Sequence, residues 1–281
     1  MAPVTKPNRT AHPLRAMLHA LPAVLLLALA GCAGDEEDVY LAREVEPLYN
    51  EAVSELNKEN YQAAAKLFDE VERQHPYSVW ATKSQLYAAY AHYQTNEYAK
   101  AVLSAERFIQ LHPGNPDAAY AHYLIAMSYY EQISDVGRDQ RFTELALRAL
   151  EEVSRRYPGT EYARDARLKI DLTRDHLAGK EMEVGRYYEL RGHYLSAINR
   201  FRVVIEKYQT TSHTPEALHR LVECYLALGV TDEAQAVAAV LGHNYPGSRW
   251  YEDSYALLTR EQLAPLADNR SWVSRAMQGV L

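Results

Sequence analysis

The chain has 281 residues and a formal charge of −7, with 30 lysines and arginines against 37 aspartates and glutamates. That acidic balance excludes a protein that binds nucleic acid by neutralising phosphates. The 22 tyrosines against four phenylalanines suit helices with a packed body and a wet rim, or contact sites for a partner, because a phenol buries its ring while its hydroxyl stays solvated.

The N-terminus reads as a targeting segment. Lys6, Arg9 and Arg15 precede an apolar run from Leu21 to Ala30 that is short for a membrane span and closes on small residues. Removing residues 1–31 leaves 27 basic against 37 acidic side chains. Leu29-Ala30-Gly31-Cys32 resembles the lipobox of bacterial lipoproteins, in which the cysteine thiol takes a diacylglyceryl group and becomes the mature N-terminus. The bland alternative is an ordinary signal peptide with an incidental cysteine. More than one acyl chain on Cys32 gives a stable anchor, at about 0.8 kcal/mol per buried methylene. Ala33, and not aspartate, follows the cysteine, so by the same resemblance the destination is the periplasmic face of the outer membrane. With Cys32 lipidated, Cys224 is the remaining thiol. It lies among Leu221, Tyr225 and Leu228, where a small core residue is the expected role and redox or metal chemistry the alternative.

Residues 32–45 form a tether with the acidic string Asp35-Glu36-Glu37-Asp38, a solvated spacer. Helical periodicity begins near Glu46, with Leu48, Ala52, Val53 and Leu56 on one face. After a turn at Asn60-Tyr61 a second helix returns through Ala64, Leu67, Phe68 and Val71. His75-Pro76 ends the unit, since proline cannot continue a helix. The next pair places Leu86, Tyr87, Tyr90 and Tyr93 on its first helix and Tyr98, Ala101, Ala105 and Phe108 on its second.

A fixed register recurs five times. Ala64, Ala101, Ala146, Ala197 and Ala234 each stand twelve residues before the second member of a terminating pair, His75-Pro76, His112-Pro113, Tyr157-Pro158, Tyr208-Gln209 and Tyr245-Pro246. Val71, Phe108, Val153, Val204 and Leu241 stand five before it. Such self-similarity predicts an all-α superhelical array of about five tetratricopeptide-like helix pairs with a C-terminal cap. Repeats one to three occupy 46–158, and repeats four and five with an extra helix and cap occupy 159–260. The third repeat carries an insert at Ser134–Gln140 between its helices. The fourth interval predicts an extra helix from Tyr162 to Leu177, a break at Gly179, and then helices at Lys180–Leu190 and Tyr194–Lys207. Thr214-Pro215-Glu216 reads as the N-cap and first turn of repeat five, and Arg249–Arg260 as the cap. In the tail, 261–281, Trp272, Ala276 and Val280 form one stripe after a Ser271 cap. A docked or disordered tail and a partner-binding helix both fit it.

The sequence carries no H-E-x-x-H, G-x-S-x-G or G-x-x-x-x-G-K motif, so an enzyme is not expected. His219 and Glu223, four apart, are half a metal site with no evident third ligand, and a solvated polar face explains them; no metal is expected. The mixed strings around Arg155, Arg164 and Arg174 read as exposed helix faces laced with weak ion pairs. The loop from Asp135 to Gln140 is a plain connection or a contact loop of the kind that carries function.

Three stretches carry a more specific likeness: His75-Pro76-Tyr77-Ser78 with Gln85-Leu86, the loop Asp135-Val136-Gly137-Arg138-Asp139-Gln140, and Tyr187-Tyr188-Glu189-Leu190-Arg191-Gly192-His193-Tyr194-Leu195-Ser196-Ala197-Ile198-Asn199-Arg200. Together they resemble the BamD family, also called ComL or YfiO, the tetratricopeptide lipoproteins of the outer-membrane β-barrel assembly machinery. The resemblance implies a scaffold with no cofactor beyond the lipid on Cys32. It implies C-terminal repeats that hold the periplasmic domains of BamA and N-terminal repeats that receive unfolded outer-membrane proteins, with other lipoproteins of the machine as further partners. Arg200 matches the arginine of the family's Asn-Arg pair associated with the BamA contact; a plain helix-surface role is its alternative. Tyr87, Tyr90, Tyr93, Tyr120 and Tyr123 are the candidates for lining a substrate groove, against interhelical packing, and Asp135, Arg138 and Asp139 are the insert-loop candidates. A lipoprotein adaptor recruiting peptidoglycan enzymes or proteases is the second function class, and a periplasmic enzyme on a helical scaffold the third.

Overall fold

The structure, a computed structural model, describes residues 42–278. The segment 1–31 expected to be a signal peptide, the expected lipidation site Cys32, the acidic string 35–38 and Val280 lie outside the described residues. Among those described there are twelve helices and no strand. The first six are α1 (Val45–Asn57), α2 (Tyr61–Gln74), α3 (Val79–Gln94), α4 (Tyr98–Leu111), α5 (Ala118–Tyr130) and α6 (Arg141–Arg156). There follow α7 (Glu161–Glu189), α8 (Tyr194–Lys207), α9 (Thr214–Ala227), α10 (Thr231–Asn244), α11 (Arg249–Arg260) and α12 (Trp272–Met277).

The recurring register is the packing register. Ala64, Ala101, Ala146, Ala197 and Ala234 are fully buried, as are Val71, Val153, Val204 and Leu241, with Phe108 essentially so. A small residue one turn into each second helix lets the paired axes approach, and the larger residue seven positions on fills the far end. Each of these helices also stops in one way. His75, His112, Tyr157, Tyr208 and Tyr245 leave the helical region with φ between −128 and −135°, while their amides still donate to the carbonyls of Val71, Phe108, Val153, Val204 and Leu241. Tyr208 does this without a following proline. The ending is therefore fixed by packing, and proline only reinforces it.

Successive elements from α1 to α11 pack against each other along the chain, and the first helices of neighbouring pairs also touch: α1 meets α3, α3 meets α5, and α5 meets α7. The row of first helices is thus the closer-spaced layer and forms the inner wall of the array.

Three expectations are corrected. The predicted break at Gly179 is absent, and α7 runs unbroken for 29 residues, about 43 Å at 1.5 Å per residue. Leu177, Ala178 and Met182 around it are buried, which outweighs the roughly 1 kcal/mol a mid-helix glycine costs. A Cβ at Gly179 would stand 3.2 Å from Nε2 of the partly exposed His213 side chain. Secondly, Thr214 is the first residue of α9 and does not cap it; its hydroxyl donates back to the Gln209 carbonyl at 3.0 Å. Thirdly, the tail docks after its Ser271 cap, as one of its two readings expects, but the residues that bury fully are Val273 and Met277, and Trp272 and Ala276 of the expected stripe are half-buried. Trp272 Nε1 donates to the Tyr225 hydroxyl at 3.0 Å, the Arg202 guanidinium lies 4.3 Å over the indole, and Ser271 donates to Glu233 while accepting from the Val273 amide. The tail thereby packs across α8 and α10 of the last two repeats, while α11 covers the end of the last pair, as the terminal unit of a repeat array requires.

Candidate protein-binding surfaces

The inner wall carries the tyrosines. α3 supplies Tyr90 and Tyr93, α5 supplies Tyr120 and Tyr123, and the start of α7 adds Tyr162. All five are half-buried. Tyr162 lies 5.5 Å from Tyr120 and 5.2 Å from Tyr123, centroid to centroid, and Tyr90 is edge-on to Tyr61 at 6.0 Å. The fifth candidate is not part of this row: Tyr87 packs against Phe68 of α2 at 5.4 Å, towards Tyr49.

The hydroxyls of the row are tied to acids. Tyr93 donates to Glu131 Oε1 at 3.2 Å and Tyr123 to Asp165 Oδ2 at 2.6 Å. Burial and then Glu131 push the Tyr93 phenol up to about 12. Burial first raises Tyr120, and burial with the Asp165 bond raises Tyr123, so each keeps its proton across the physiological range. Asp165 in turn holds Lys169 at 2.9 Å, whose ammonium stands 5.5 Å over the Tyr130 ring. The sequence does not mark Tyr162, Glu131, Asp165 and Lys169 as site residues. The spacing of Tyr162 and Asp165, one turn apart at the start of a predicted helix, is the signal that could have found two of them.

The insert loop is ordered by its own bonds. Asp135 Oδ1 accepts from the Gly137 amide at 2.8 Å, and Gln140 Nε2 donates to the carbonyls of Asp135, Val136 and Arg138. Lys180 Nζ on α7 donates to the Gly137 carbonyl at 3.2 Å. Asp135 is therefore half structural, while Arg138 and Asp139 are exposed.

Arg200 lies on the exposed side of α8, far along the chain from the tyrosine row, and its Nη1 donates to Glu181 Oε2 of α7 at 3.3 Å. Nearby in sequence, the turn between α7 and α8 exposes Tyr187, Leu190 and Leu195, with the Arg191 guanidinium stacked 3.6 Å from the Tyr187 ring centre. Behind this surface α7 and α9 are braced by Arg186 to Glu216 at 3.0 Å and by Arg220, which approaches Glu189 and Glu216 and binds Glu223 at 2.8 Å. His219, whose spacing from Glu223 suggested half a metal site, is buried, with Nδ1 on Ser254 Oγ at 2.8 Å and its ring 5.3 Å from Trp250. Among the described residues no group of three histidine, cysteine or carboxylate side chains is placed to hold a metal, and no helix is long and apolar enough to cross a membrane.

The family described as YfiO, outer membrane lipoprotein, matches residues 42–241. A relative from Caulobacter vibrioides named outer membrane protein assembly factor BamD is 55% identical over 252 residues, covering 88% of this chain and 83% of its own. A protein of the same name from Rickettsia prowazekii is 45% identical, over 89% of this chain and 99% of its own. Among solved structures, a thermophilic TPR protein from Thermus thermophilus aligns at 20% identity and a TM-score of 0.36, over 76% of this chain and 98% of its own.

Proposed function

The chain belongs to the YfiO family of outer membrane lipoproteins, the family of the BamD assembly factors, and on that footing we propose that it is the lipid-anchored scaffold of an outer-membrane β-barrel assembly machine. In this reading Cys32 carries the lipid, the inner wall of the N-terminal repeats receives unfolded barrel chains, and the C-terminal repeats hold the periplasmic domains of a BamA-type barrel around Arg200. Other lipoproteins of the machine are further partners. Binding is its work, and no cofactor beyond the lipid takes part.

The observation that carries the reading is the tyrosine row on the inner wall. Three first helices present half-buried rings side by side, with two hydroxyls already held by carboxylates. Rigid aromatic surface of this kind is what partners bury at an interface core, at little cost in side-chain entropy. An extended chain with alternating aromatic residues, as in an unfolded β-strand, fits a wall built from parallel helices. The exposed Tyr187, Leu190 and Leu195 beside α8 support a separate contact in the C-terminal half.

The test is recovery of the tagged, lipidated protein from its own outer membranes in mild detergent, with mass spectrometry of what stays bound. Near-equal amounts of a BamA-type barrel are expected. Recovery of peptidoglycan enzymes or proteases in its place would transfer the same surfaces to an adaptor of another process.

A further inference from the structure

The tyrosine row has a consistent charge. Asp117 immediately precedes α5 and Glu131 immediately follows it, so the helix that presents Tyr120 and Tyr123 is bracketed by carboxylates. Asp117 lies close enough to Tyr162 to act on its phenol, Glu131 acts on both Tyr93 and Tyr98, and Glu59 acts on Tyr61. All three acids are exposed, and among the described residues none of them is in an ion pair. Lys169, the cation that stands over a ring of this wall, is occupied by Asp165.

The hydrogen-bonding chemistry has the same sense. Tyr93 and Tyr123 have each spent their one proton on a carboxylate, so the lone pairs that remain accept and do not donate. The wall is aromatic and rich in acceptors, and its remaining donors are the neutral hydroxyls of Tyr90, Tyr120 and Tyr162. A lysine or arginine laid across it meets ring faces for cation–π contact and unpaired carboxylates for its head. A carboxylate laid across it meets the like charge of Asp117 and Glu131.

On the reading given above, that unfolded barrel chains dock here, we infer that the tyrosine wall selects aromatic-rich extended segments bearing lysine or arginine, and excludes segments that bring a carboxylate, a free chain terminus included. The terminal carboxylate of a bound chain therefore lies beyond the row.

Three labelled twelve-residue peptides with alternating aromatic residues test this against the full-length protein in detergent by fluorescence anisotropy. One carries lysines and a C-terminal amide, the second the same lysines and a free C-terminal carboxylate, and the third glutamates in place of the lysines. The amidated lysine peptide is expected to bind about threefold or more tighter than its free acid and about tenfold tighter than the glutamate peptide, with both gaps narrowing at high salt. Asp117→Asn with Glu131→Gln should remove the discrimination and keep the binding; Glu59→Gln is a third exposed site for the same purpose. Equal or tighter binding of the free acid or of the glutamate peptide overturns the inference and leaves the receptor role standing. Failure of all three peptides to bind overturns both.

Discussion

Gly185 of α7 lies directly against the ring of Phe201 of α8: a Cβ at that position would stand 2.3 Å from Cε1 and 2.7 Å from Cδ1. Phe201 is fully buried, so the ring has nowhere to go. Gly185→Ala should therefore destabilise the protein by about 1–3 kcal/mol through overpacking, against the roughly 1 kcal/mol that alanine's helix propensity would return. Gly179→Ala, six residues earlier on the same helix, should behave in the opposite way. Its neighbour is the end of the partly exposed His213 side chain at 3.2 Å, which can swing aside, leaving a net gain of up to about 1 kcal/mol. Urea unfolding of the two variants side by side checks both signs; equal effects would mean that the crossing at Phe201 is looser than its geometry.

His92 is buried with both ring nitrogens on carboxylates, Nε2 at 3.0 Å from Asp69 and Nδ1 at 2.8 Å from Glu97. A neutral imidazole has one N–H and cannot donate twice. Burial alone pulls its pKa down, but Asp69 and Glu97 more than offset that, and the net direction is up from 6.5. Folding thus takes up a proton. The contribution is complete below pH 6.5 and fades as pH rises through the higher folded value. His92→Gln should cost about 1–3 kcal/mol at pH 6 and clearly less at pH 9, read as the difference between wild-type and variant urea midpoints. A difference independent of pH would show that the ring is neutral throughout.

Much of this fold is written locally. An alanine and a larger apolar residue at fixed distance from a terminating pair specify each second helix, and Tyr208 shows that the packing holds even where the proline is missing. Gly179 was misleading because its local cost is small beside the burial of Ala178 and Met182. Thr214 has the residue type of a cap, yet the carbonyls left free at the end of α8 compete for its hydroxyl. The tyrosine wall was half legible: Tyr90, Tyr93, Tyr120 and Tyr123 fall on first helices, but Tyr162 joins them only because α7 packs beside α5. Tyr87, three residues before Tyr90, turns towards Phe68, and no periodicity argument separates two adjacent stripes of one helix.

Cys224 is fully buried with its Sγ 3.7 Å from Glu189 Oε1. Burial first, and the carboxylate next, push the thiol well above its usual range. Since thiolate is the reactive form, the native protein should not react with a disulfide reagent at pH 8 over minutes, and should take up one equivalent at Cys224 after unfolding in urea. Rapid native reaction would mean that α7 and α9 part readily, despite the Arg186 to Glu216 brace.

Arg200 is an exposed charge bonded to Glu181 at 3.3 Å. Exposed pairs of this kind are worth about 0–1 kcal/mol, so Arg200→Glu, which sets like charges face to face, should leave the helical circular dichroism unchanged and lower the unfolding midpoint only slightly. If Arg200 is the contact for a BamA-type partner, the same change replaces attraction by repulsion at the interface and should reduce co-purified partner at least tenfold, equivalent to about 1.4 kcal/mol or more. Glu181→Gln separates the two effects: it frees Arg200 from its internal partner without altering its charge, so recovery should hold or rise. Normal recovery with Arg200→Glu would remove this residue from the contact and direct attention to the exposed Tyr187, Leu190 and Leu195 at the neighbouring turn.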